Sequence, residues 1–268
     1  MSDDNSPLPS ASMLLLRDTP AGIEVFMIVR HHKIDAFAGA LVFPGGKLDP
    51  GDSRPDLHTF CRGAEELSDT ELAFRAAAIR ETFEECGVLL ARVKGRDAII
   101  DGEHLAALEN YRRRLIGDEI DLYDLCRNEH LELALDLLVY YAHWITPMAL
   151  PKRFDTHFFL APAPADQLAI HDGGESLDSV WIKPQDVLVE AEAGTRTVVF
   201  ATRMMLRKLG HSDTVSAALE TARTDTVVTV LPDMEPHERG RIMTIPADAG
   251  YGLSRALLDK DGGMEVLD

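Results

Sequence analysis

The runs "SMLLLRD" and "GIEVFMIVR" are apolar over strand-sized lengths and are separated by the turn signal "TPAG", so they predict a pair of β-strands at 12–17 and 23–30. A third short strand, "ALVF", leads into "PGGKLDPGDSRPD", whose density of Gly, Pro and Asp predicts a loop. Over residues 69–86 the period changes: Leu72, Ala76, Ile79, Phe83 and Cys86 recur at helical spacing, Ser68 or Asp69 can cap the start, and Gly87 can stop the end. "VLLA" then predicts a buried strand, and 101–135 a mostly helical stretch in which "RRR" at 112–114 lies on a solvated face. "LLVYYAHWITP" and "THFFLAPAP" predict adjacent strands. "SLDSVWI" predicts a strand ending near Ile182, followed by a Pro-started helix, a further helix over 198–222, and a short β extension in "VVTVLPDM" and "RIMTIPAD". Helices interleave with strands, the order of a mixed α/β fold.

Composition narrows the partners. The chain has 268 residues, enough for one domain with insertions or a second small lobe. No apolar run approaches the ~20 residues that cross a bilayer, so no membrane association is expected. The start "MSDDNSPLPS" lacks the basic-then-apolar order of a signal peptide and the end "MEVLD" is no recognisable address, so the expected location is the cytoplasm, with residues 1–10 loose. Three cysteines without a CxxC spacing imply neither a disulfide framework nor a structural zinc site. A net charge of −18 repels a polyanion and argues against nucleic-acid coating. Small anionic ligands remain admissible where local basic residues or bound cations receive them.

The helix at 69–86 carries an oddity. Glu81, Glu84 and Glu85 crowd its last turns, where the helix dipole is negative and acids are disfavoured. Glu81 and Glu85 form an i,i+4 like-charge pair costing a few tenths of a kcal/mol, and Arg80 is the only internal relief. The patch reads either as a solvated acidic face or as a site for a hard divalent cation, whose preference is for carboxylate oxygen. Spacing alone leaves both open.

"FPGGKLDPGD" and "RETFEECGV" together resemble the Nudix box, G-x5-E-x7-R-E-U-x-E-E-x-G-U with U a bulky apolar residue. The second half is matched from Arg80 through Val88. The first half is matched by Gly46 and then Asp52 in place of Glu, with some 20 extra residues before the helix. The family's first Glu braces the box Arg; Asp52 or Glu71 can fill that place. The split box, with "FPGG" and "WITP…RFDTHFFLAPAP", resembles the branch containing peroxisomal-type coenzyme A diphosphatases. "GALVFPGG" with Arg30 and Gly39 partly fits the pattern before the box in coenzyme A hydrolases, although Asp35 and Phe37 stand where that pattern has Arg and His.

The resemblance implies an α/β/α sandwich with a mixed sheet over 11–195, carrying insertions at about 53–70 and 101–135, with 196–268 as a helical and β extension packed on it. It also implies a hydrolase of a nucleoside diphosphate linked to another moiety. Coenzyme A or acyl-coenzyme A is the leading substrate, ADP-ribose or NADH the alternative, and a non-catalytic ligand-binding module the alternative of another class. By the family pattern Glu81, Glu84 and Glu85 would hold Mg²⁺ or Mn²⁺ and Arg80 would support them. Glu175, from a later loop, joins Glu81 as a candidate general base. Arg30, Gly45, Gly46 and Lys47 are the candidate substrate contacts, with Arg153 a weaker one. His143 and His157, in strands, read as core or edge residues, and Phe43, Trp144, Phe158 and Trp181 as core aromatics able to stack on a base. The expected partner is a small nucleotide substrate, and a homodimer is compatible with this reading.

Overall fold

The run 13–16 shows no apolar–polar alternation because its strand is covered on both faces. In the computed structural model, which describes residues 5–30, 39–167, 176–260 and 262–268, Met13 and Leu15 enter one core, and Leu14 and Leu16 the other. That strand, β1 (Leu8–Thr19), turns into β2 (Gly22–Arg30). Then follow β3 (Leu41–Val42), β4 (Gly45–Lys47), β5 (Cys61–Arg62), α1 (Asp69–Cys86) and β6 (Ala91–Val93). The middle of the chain forms α2 (Gly102–Ala107), α3 (Glu109–Ile116), α4 (Leu122–Glu129), β7 (Leu131–Ala134), β8 (Val139–Ile145), β9 (Phe154–Pro162) and β10 (Ser176–Ile182). Last come α5 (Pro184–Glu192), α6 (Phe200–Leu209), α7 (Val215–Thr224), β11 (Thr229–Val230), β12 (Asp233–His237), β13 (Gly240–Thr244), β14 (Arg255–Asp259) and β15 (Met264–Val266).

The central sheet runs β10-β2-β1-β9-β8-β11, with β3 beside β2 and β4 beside β1. It is mixed: β1 pairs parallel with β9 and antiparallel with β2 and β4. One core lies between this sheet and α1 with the helices that follow it; the other lies under α5, α6, α7 and the antiparallel sheet β12-β13-β14-β15. The fold is an α/β/α sandwich.

Several elements differ from their sequence-based outlines. The loose start ends sooner than residue 10, since Leu8 already pairs with Phe154 across β1 and β9. Val88, Leu89 and Leu90 are buried but not in a strand. The Gln167 side chain supplies the missing backbone partners, accepting from Leu89 N (3.0 Å) and donating to Leu89 O (3.1 Å). The insertion at 101–135 holds three short helices and ends in a strand, β7, whose partners are β6 and β5. β5 belongs to the extra residues inside the box, so this pairing is tertiary and leaves no local signal. The helix expected over 198–222 is two, interrupted after Gly210 and restarted by Thr214, whose Oγ1 accepts from Ala217 N.

Candidate metal and diphosphate site

α1 runs from Asp69 to Cys86 because both ends are chemically fixed. Ser68 and Glu71 form a reciprocal capping box, and Gly87 takes the left-handed conformation (φ 67°) that closes the last turn. The helix is covered nearly all round. Arg80, Thr82 and Glu85 are buried, and the Glu81 and Glu84 side chains are only 13% and 15% exposed, which excludes the solvated acidic face.

Arg80 organises the site. Its Nε donates to Asp52 Oδ1 (3.0 Å) and its Nη2 to Asp52 Oδ2 (2.9 Å) and to Lys47 O (2.8 Å), so the brace is Asp52. Glu71, the other candidate, is exposed and bound to Ser68. Arg80 Nη1 then reaches Glu81 Oε1 (3.0 Å) and Glu84 Oε2 (3.2 Å), with Asp49 Oδ2 at 3.5 Å. Hydrogen bonds and charge from Asp52 hold the guanidinium protonated against its burial. One cation therefore faces four carboxylates. Burial, and then the mutual charge of these acids, push both Glu81 and Glu84 up to about 7 despite Arg80.

The backbone beside the helix completes a cradle. Gly45 N donates to Glu85 Oε2 (2.8 Å) with φ 154°, and an added Cβ there would collide with Ala11 O. At Gly46 an added Cβ would sit 2.5 Å from Glu81 Oε1. A side chain at Gly46 would thus occupy the space over the carboxylates. All-oxygen donors, a deficit of positive charge and a space kept open by glycine are the chemistry that suits a hard divalent cation.

"RRR" is corrected at its first member. Arg112, on α3, donates from Nε to Phe83 O (2.8 Å) and from Nη2 to Glu84 O (2.8 Å), capping the C-terminus of α1 with the positive charge that the helix itself lacks. Arg113 remains exposed. No spacing in the sequence joins Arg112 to a helix end 26 or more residues earlier. Of the other expected site residues, Lys47 is exposed beside the glycine pair. Arg30 ends β2 with its backbone paired to Ser176. Glu175, like Asp35 and Phe37, lies outside the described residues. Arg153 is buried and spent on the carbonyls of Thr146 and Asn5.

Gly45 and Gly46 also border a cleft of about 440 Å³, walled by Trp144 and Phe158 from the sheet, by Phe43 just after β3, by Arg241 and Met243 of β13 and by Lys260 just after β14. Trp181 is elsewhere, packed on Phe26 under Arg17. The NUDT19 Nudix domain model matches residues 58–195, just over half of the sequence. The chain belongs to the Nudix family. Among this Nudix chain's relatives, acyl-coenzyme A diphosphatase NUDT19 of Xenopus laevis is 25% identical over 205 residues, covering 62% of this chain and 54% of that protein. The human protein of that name is 29% identical over 212 residues, covering 63% and 56%. The chain spans about half the length of these curated relatives. A crystal structure of a Nudix hydrolase from Alicyclobacillus acidocaldarius superposes with a TM-score of 0.65 at 25% identity, covering 81% of this chain and 97% of that one. Among the described residues no helix is long and apolar enough to cross a membrane.

Proposed function

We propose that the Nudix chain is a divalent-metal-dependent hydrolase of a nucleoside diphosphate linked to another moiety, acting on coenzyme A or an acyl-coenzyme A to release 3',5'-ADP and the (acyl-)phosphopantetheine part. The observation that carries this reading is the Asp52–Arg80 brace, which fixes Glu81 and Glu84 in one buried cluster beside Gly45 and Gly46, where the cleft opens. The relatives named acyl-coenzyme A diphosphatase support the substrate.

Mg²⁺ or Mn²⁺ held by Glu81, Glu84 and Glu85 would neutralise charge on the diphosphate and lower the pKa of a water. The chain's own residues do the rest. Arg80 keeps the carboxylates at fixed separations and Gly46 leaves them open to the substrate. Gly45 N holds Glu85, and Glu81 and Glu175 are the two candidate carboxylates for accepting the proton of the attacking water. Of the aromatics lining the cleft, Phe43 and Trp144 are buried in the core and Phe158 is the partly exposed ring, the candidate face for an adenine.

The test is product analysis. Purified protein is incubated with coenzyme A, an acyl-coenzyme A, ADP-ribose and NADH, each with Mg²⁺ or Mn²⁺ and each with chelator. The expected result is metal-dependent release of 3',5'-ADP from the coenzyme A substrates at higher kcat/KM than any cleavage of the other two. Metal-dependent cleavage of ADP-ribose or NADH alone would replace the substrate, and cleavage of none would overturn the enzyme reading.

A further inference from the structure

On the α1 face of the sheet, His143, Asp155 and His157 each offer a ligand atom, and these atoms lie within 4.8 Å of one another. The grouping comes from register. His143 on β8 sits directly opposite His157 on β9, and Asp155 is two residues before His157, on the same face. An irregularity between Tyr140 and Ala142 sets that register; were Tyr141 paired regularly with Phe158 instead of bulged out, His143 would oppose Thr156 and face the other core.

The side chains are held as ligands are held. His143 Nδ1 is 2.8 Å from Thr229 Oγ1 on the neighbouring strand β11, which turns its Nε2 toward Asp155 Oδ1 at 2.5 Å. A second hydrogen bond from the far ring nitrogen is the usual means of orienting a metal-bound imidazole. His157 is stacked at 3.8 Å on Phe74 of α1 and lies beside Tyr140 and His143, so its ring plane is fixed by packing. Its nitrogens make no hydrogen bond among the described residues. Asp155 and His143 retain 30% and 16% exposure, an entry path from solvent.

We infer that His143, Asp155 and His157 form a second cation site, of two imidazoles and one carboxylate, that takes a borderline transition metal of the Zn²⁺ class. Imidazole favours such ions, whereas Mg²⁺ and Mn²⁺ favour the all-carboxylate cluster, so the two sites are chemically distinct. They are also separate in space. Gly46 and His157 both register with Ala11 from opposite sides of β1, two strand spacings or roughly 10 Å apart.

The experiment is a calorimetric titration of the metal-free full-length chain with ZnCl₂ in saturating Mg²⁺, followed by X-ray absorption of the loaded protein. One equivalent should bind, with two nitrogen ligands at about 2.0–2.1 Å. His157→Ala and Asp155→Asn should each weaken binding by at least ~10–100-fold. Glu84→Gln should leave the Zn²⁺ stoichiometry at one. Should the alanine variant fail to fold, as read by its melt without metal, Asp155→Asn alone decides. Absence of uptake by the wild type, or uptake unchanged in the folded variants, would show an adventitious ion only and overturn the site.

Discussion

A carboxylate is worth keeping in a buried, like-charged cluster only if something relieves it. Arg80 relieves part of the charge around Glu84, and Glu85 is held by Gly45 N, so Gln at either position keeps an acceptor while removing charge. Glu84→Gln or Glu85→Gln should cut kcat/KM by ~100-fold or more, since losing several kcal/mol of charge stabilisation costs a decade per ~1.4 kcal/mol. Stability should stay level or rise by a few tenths of a kcal/mol. Steady-state kinetics beside denaturant titration separates the two effects, and unfolding with full activity per folded molecule would make the cluster structural. Glu81 and Glu84 set a pH dependence. Their carboxyls are raised by burial to about 7 from 4.5, so the native state binds more protons than the unfolded chain between those values. In chelator, the stability present below about pH 4.5 should therefore be lost as pH rises through 7, and added Mg²⁺ should flatten the loss. Melting curves from pH 5 to 8 with and without the ion measure it.

Between elements, the decisive contact is the turn at Pro50–Ser53 gripping α1 through Asp52 and Arg80, both almost fully buried. Burial raises the Asp52 carboxyl pKa, and the guanidinium pulls against the rise. Asp52→Ala would strand a buried charge and should cost ~3–5 kcal/mol, with Asp52→Asn less severe; midpoints in urea report both. An Asp52→Ala protein as stable as the wild type would mean that Glu71 or another acid takes over the brace. How far these elements could be read from sequence follows from where their causes lie. The bounds of α1 were legible because Ser68, Glu71 and Gly87 are local signals. Glu81, Glu84 and Glu85 stood out because a helix end should not be acidic. The choice of Asp52 over Glu71 was not legible, since it depends on a loop folding back across 28 residues. β7 was read as helix because one of its two partners, β5, comes from the insertion in the box and the other, β6, from before the helices, and His143 with His157 went unpaired because a bulge in β8 fixes their register.

At the scale of the molecule, a net charge of −18 should repel a ligand that carries phosphates. The cleft answers locally: Arg196, Arg203, Arg241 and Lys260 line it, Arg241 from β13 and Lys260 from just after β14. Arg196 pairs with Glu190, and Arg203 donates to Val198 O and Gly262 O, so both are committed to the fold. Arg241 and Lys260 make no ion pair among the described residues and can meet an incoming anion. Coenzyme A carries a 3'-phosphate that dephospho-coenzyme A lacks, which turns the charge argument into a comparison. A charge-assisted contact of ~1.5 kcal/mol corresponds to about a tenfold change. The double variant Arg241→Ala/Lys260→Ala should therefore raise KM for coenzyme A by about tenfold or more while changing KM for dephospho-coenzyme A much less, with kcat preserved for both. The effect should shrink at high salt, because partly exposed charges are screened. Equal rises for the two substrates would assign these cations to the shared diphosphate. No rise for either would leave the extension as a wall of the cleft whose contribution is packing, through the buried Trp144 Nε1 to Tyr251 hydroxyl contact at 2.9 Å and the apolar surface around it.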